Sequence, residues 1–124
     1  MSKRTVVICD DNATLLVLMK HLLTKGGLSV LTAADGSEGM DLIKSTNPDL
    51  LLLDLHMPGT DGTAVLEQLG KHAGKKPYVV VITAHVGEKR DQAVALGAHE
   101  VWSKPFNAAD LLSRIEALVK QGVI

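Results

Sequence analysis

The chain has 124 residues, an ordinary length for one domain, of which 46% are hydrophobic, 22% charged and only 2% aromatic, with a formal net charge of −1. Mixed charge without a basic stripe argues against direct nucleic-acid binding, and so few rings leave no platform for stacking bases. One cysteine, Cys9, supports neither a disulfide framework nor a zinc set, and neither a signal peptide nor an apolar run of about 20 residues is present, so a cytoplasmic protein without a membrane span is expected.

Along the chain, apolar runs alternate with segments of helical spacing. Thr5–Cys9 reads as a strand, and Leu15, Leu18, Met19, Leu22 and Leu23 then form a helical stripe that Gly26-Gly27 ends. Ser29–Ala33 is the second strand, followed by a helix from about Ser37 to Ser45 and by Pro48. The third strand, Asp49–Leu53, leads through Pro58-Gly59-Thr60-Asp61-Gly62 into a helix near Thr63–His72. Tyr78–Thr83 is the fourth strand, and its helix covers about Glu88–Leu96 and stops at Gly97. Glu100–Ser103 is the fifth, and a helix over Ala108–Gln121 carries Leu111, Leu112, Ile115, Leu118 and Val119 on one face. Most of the strand runs are too continuous for a half-exposed sheet, which suits parallel strands covered on both faces. Five successive βα units predict an α/β fold, one parallel sheet sandwiched by five helices, as a single domain over residues 1–124.

Parallel strands deliver their carboxyl ends to one edge, where open α/β sheets bind ligands. The residues at those ends are Asp10-Asp11, Asp54, Thr83 and Lys104. Clustered carboxylates raise one another's pKa unless a cation compensates, and a hard divalent ion such as Mg²⁺, with oxygen ligands, does so. Taken alone, Asp10-Asp11 also suit a helix N-cap ahead of the Leu15 stripe. Asp54 has no such alternative role, because it closes the apolar run Leu50–Leu53. Lys104 adds a positive charge and Thr83 a hydroxyl donor, a set suited to a phosphoryl group.

Ile8-Cys9-Asp10-Asp11-Asn12, Leu52-Leu53-Asp54-Leu55-His56-Met57-Pro58-Gly59, Asp61-Gly62, Val81-Ile82-Thr83-Ala84, Leu96-Gly97-Ala98 and Lys104-Pro105-Phe106 together resemble the receiver domain of bacterial two-component response regulators. The resemblance spans nearly the whole chain, in the order and spacing of the family. It implies a flavodoxin-like fold with strand order 2-1-3-4-5. Asp54 would take a phosphoryl group from a phosphohistidine on a sensor histidine kinase or phosphotransfer protein. Asp11, Asp54 and the backbone carbonyl of His56 would bind Mg²⁺ directly, with Asp10 acting mainly through water. Lys104 would pair with phosphoryl oxygens, Thr83 would move toward them, and the Lys104-Pro105 peptide would be cis. A protein effector would dock on helix 4, strand 5 and helix 5, with Glu88, Arg90, Asp91, Arg114 and Glu116 exposed there.

Two features depart from the family or qualify it. The residue three before the lysine is usually an aromatic that turns inward, whereas here it is Val101, and strand alternation sends its neighbour Trp102 to the other face. His56 and His85, each two residues past a site residue, are candidates for tuning the lifetime of the phosphoryl group. His21, His72 and His99 read as surface residues. A haloacid-dehalogenase-type phosphatase needs a second acid where His56 stands. A flavodoxin-like electron carrier needs a hydroxyl-rich phosphate loop and rings around its flavin, and a degenerate docking module would not keep the acid set, Thr83 and Lys104.

Overall fold

A computed structural model describes residues 3–57, 62–84, 86–104 and 106–124, apart from the side chain of Ala108. Five strands, β1 (Thr5–Cys9), β2 (Ser29–Ala33), β3 (Leu50–Asp54), β4 (Tyr78–Thr83) and β5 (Glu100–Ser103), alternate with helices α1 (Ala13–Lys25), α2 (Gly36–Thr46), α3 (Gly62–Lys71), α4 (Val86–Ala95) and α5 (Ala108–Lys120). All strand pairs are parallel and the order is β2-β1-β3-β4-β5, the expected sheet.

The period-two alternation of strand side chains sorts the core into two layers. Val7, Cys9, Leu51, Leu53, Val79, Val81 and Val101 pack with buried residues of α2, α3 and α4. Val6, Ile8, Leu50, Leu52, Val80 and Ile82 pack on the other face with buried residues of α1 and α5. β3 is buried along its whole length because it lies in the middle of the sheet with helices on both faces. Burying each such Leu or Val contributes roughly 1.5–3 kcal/mol. Trp102 packs on the α1/α5 face, opposite Val101, so it does not stand in for a ring beneath α4.

Several expectations shift. Asn12, not Asp10 or Asp11, caps α1, its side chain accepting from the Leu15 amide at 3.1 Å. Asp35 caps α2, so that helix begins at Gly36. Leu18, placed on the buried stripe by its spacing, is 55% exposed, and its neighbour Val17 is 70% exposed. The buried face of α1 is narrower and runs through Leu16, Met19 and Leu23.

Arg114 is not a free surface cation. Its Nη2 donates to Glu100 Oε2 at 2.7 Å, and Tyr78 Oη and Trp102 Nε1 donate to the same carboxylate at 2.7 and 3.0 Å. His99 is likewise engaged, its ring stacked on Tyr78 with centroids 4.4 Å apart and its Nδ1 accepting from the Val79 amide. His72 is half-buried at the end of α3.

Candidate functional site

β1 leads to β2 on one side while β3 lies on its other side, so the chain reverses direction across the sheet between β1 and β3. A crevice opens at their carboxyl ends. Asp10 follows β1 directly, and its amide donates to Ala33 O at 3.0 Å, which ties it to β2. Asp54 is the last residue of β3. Each of these two aspartates is only 4% exposed. Asp11 stands exposed beside them, and the three carboxylates each present an oxygen within 4.8 Å of the others.

Lys104 closes this group from β5. Its Nζ donates to Asp10 Oδ2 at 3.0 Å and to Asp54 Oδ2 at 3.1 Å, bridging strands that are 94 and 50 residues away in sequence. The lysine is held by its backbone, since Lys104 N donates to Thr83 O at 2.9 Å in continuation of the β4–β5 ladder. Thr83 itself is fully buried at the end of β4. The second oxygens are also engaged: His56 N donates to Asp54 Oδ1 at 3.1 Å and Asn12 N to Asp10 Oδ1 at 2.9 Å. Burial pushes the Asp54 carboxyl above its ordinary range; the His56 amide and Lys104 oppose this, while the charge of Asp10 adds to it. For Lys104 burial acts downward, but the bonds to Asp10 and Asp54 outweigh it and raise the ammonium above its ordinary value. Among the described residues the site is therefore acid-rich, with the half-buried Lys104 as its cation.

This donor set suits a hard divalent cation, because it offers clustered carboxylate oxygens and no sulfur. Asp10 and Asp54 each commit one oxygen to Lys104, whereas Asp11 faces a cleft of about 610 Å³. Leu55, His56, Met57 and Thr63 line the cleft together with Lys89 and Gln92 of α4. The loop after β3 runs close to the site: a Cβ on Gly62 would lie 2.6 Å from both Asp54 O and Leu55 Cα, so only glycine allows this approach. Asp10, Asp11, Asp54, Lys104 and the His56 amide are thus brought together, with Thr83 next to the Lys104 backbone. His85 and the Lys104-Pro105 peptide lie outside the described residues. Lys89 and Gln92 escaped the sequence reading, because nothing local marks a side chain whose relevance is its position across a cleft.

Fold and site together define a small flavodoxin-like α/β module with an acid-and-lysine cluster at its topological switch point. The chain belongs to the response regulator receiver domain family, whose model matches residues 6–116, and phosphorylation-activated signalling in two-component systems is what this family does. It is 36% identical over 121 residues to response regulator MprA of Mycobacterium bovis, covering 98% of this chain and 52% of that protein. It is 31% identical over 126 residues to the alkaline phosphatase synthesis transcriptional regulatory protein PhoP of Bacillus subtilis, covering 100% of this chain and 51% of that one. The chain thus spans about half the length of these curated relatives. Among solved structures, a CheY-like response regulator receiver domain protein from Methanospirillum hungatei superposes with a TM-score of 0.88 at 28% identity, covering 97% of this chain and 96% of that one. Among the described residues, no helix is long and apolar enough to cross a membrane.

Proposed function

We propose that residues 1–124 form a receiver domain in which Asp54 is the phosphoacceptor. The observation that carries this reading is the Lys104 ammonium bridging two nearly buried carboxylates, one of which closes the central strand. Holding like charges together at a nearly buried place is unfavourable unless the place has a use for them. Asp11 and Asp54, with Asp10 and the backbone carbonyl of His56, would hold Mg²⁺. When bound, the ion neutralises the carboxylates and the oxygens of an arriving phosphoryl group.

An Asp54 oxygen forms the new O–P bond while the bond from phosphorus to the donor breaks, and the donor leaves with the electron pair. Lys104 is placed to exchange one carboxylate for a phosphoryl oxygen, and Thr83 supplies a hydroxyl at the adjacent strand end. The donor is a phosphohistidine on a sensor histidine kinase or phosphotransfer protein. The domain accelerates its own phosphorylation and dephosphorylation, and it signals to a protein effector through α4, β5 and α5 rather than by binding nucleic acid. The exposed His56 at the cleft tunes the access of water to the acyl phosphate, a role that an unchanged dephosphorylation rate in His56→Ala would remove. Intact-mass analysis after incubation with acetyl phosphate tests the whole reading. One added phosphoryl group is expected with Mg²⁺ and none with a chelator or in Asp54→Asn, while phosphorylation that ignores the metal would contradict it.

A further inference from the structure

In the receiver reading of Asp54, phosphorylation changes the charge of the crevice. Asp10 and Asp11 contribute two negative charges, and an aspartyl phosphate dianion contributes two more. A divalent cation and Lys104 supply three positive charges between them, so one negative charge stays uncompensated. Lys89 lines the same cleft as Asp11 and His56, from the helix on the far side. The residue is half-buried, and its ammonium makes no salt bridge among the described residues. Gln92, one turn further along α4, lines that cleft too and offers a neutral donor.

The helix that carries Lys89 is lightly seated. Ala93 is its one fully buried residue among those described, and Val86 packs against the core only in part. Beneath α4, β5 contributes the small side chain of Val101, while Trp102 packs on the opposite face of the sheet. Among the described residues, no Phe, Tyr or Trp ring therefore lies under α4 to transmit a change at the crevice. Lys89 is a charged side chain of α4 itself that lines the cleft beside Asp11, and so offers a direct route from the crevice to the helix.

We infer that the Lys89 ammonium closes on the phosphoryl group carried by Asp54, and that this contact draws α4 into its signalling position. Lys89 is thus a positioning residue for the switch: it responds to the charge that phosphorylation adds. Arginine serves in its place, because it keeps the charge and the reach. Alanine removes the pull, and glutamate reverses it.

Beryllofluoride with Mg²⁺ is a suitable probe on the whole chain, since its adduct with a carboxylate carries the same charge as an aspartyl phosphate. Two readouts are taken: its affinity, and amide hydrogen exchange in α4 with and without it. For the native chain, beryllofluoride slows exchange across residues 86–95. Lys89→Ala weakens binding about three- to tenfold, in the range of a partly exposed charge-assisted contact, and removes the slowing in α4. Lys89→Glu weakens binding further, and Lys89→Arg restores both readouts. Exchange in β1 and β3 of the free proteins reports that each variant is folded. Unchanged affinity in Lys89→Glu, or α4 protection that survives in Lys89→Ala, overturns the inference. Failure of the receiver reading is distinguishable, because beryllofluoride would then bind Asp54→Asn as well as it binds the native chain.

Discussion

The carboxylate of Glu100 should anchor β5 to α5 through its charge, and replacing it with glutamine isolates that charge. Glu100 accepts from Tyr78 Oη, Trp102 Nε1 and both Nε and Nη2 of Arg114, with distances between 2.7 and 3.2 Å. Burial opposes ionisation there, but the Arg114, Trp102 and Tyr78 donors outweigh it and bring the carboxyl from the ordinary 4.5 down to about 2. At about 1.4 kcal/mol per tenfold change, that fall corresponds to roughly 3 kcal/mol. The Glu100 side chain is 16% exposed but that of Arg114 is 37% exposed, so solvent screening reduces the expected contribution to about 1–2 kcal/mol. Because the folded value lies below the unfolded one, this stability is complete above about pH 5. It is lost as pH falls from 4.5 toward 2. Urea unfolding of the native chain and Glu100→Gln, followed through the single tryptophan, should differ by about 1–2 kcal/mol at pH 7 and converge near pH 2. A difference that persists undiminished at the lowest pH would refute the charge-based account and leave only lost packing.

Two further perturbations probe the site and its support. Lys104→Met leaves Asp10 and Asp54 facing each other without their cation, so in chelator the variant should be about 1–3 kcal/mol less stable than the native chain, and Mg²⁺ should narrow that gap; equal urea midpoints in chelator would contradict it. Gly39→Ala drives a methyl group onto the Cys9 sulfur beneath β1, which should cost about 1–3 kcal/mol. Adding Cys9→Ala should return much of that loss, and an additive double variant would show that the two positions do not share this space.

The parallel sheet was legible because its strands are buried on both faces and so read as unbroken apolar runs, with Leu50–Leu53 the clearest. The strand-end cluster was legible for the same reason, since an aspartate ending such a run has few structural uses. Helix ends were less so: α2 starts one residue early because Asp35 caps it, and α4 starts at Val86 rather than Glu88. Leu18 was misplaced because a three-and-four spacing shows that a face exists, not how wide its cover is. Glu100 and Arg114 lie 14 residues apart on different elements, and Lys89 meets Asp11 and His56 only across a cleft. Such contacts are products of tertiary packing and leave no local signal.

The central claim is that phosphoryl transfer ends on one carboxylate, and trapping the acyl phosphate locates it most directly. Borohydride reduction after acetyl phosphate and Mg²⁺ treatment converts a phosphorylated aspartate to homoserine, which peptide mass spectrometry assigns to a position. The account predicts that residue 54 alone is converted, and that omitting Mg²⁺ abolishes conversion. Conversion at Asp10 or Asp11, or an acid-labile phosphoryl group on His56 in place of any reduced aspartate, would contradict it.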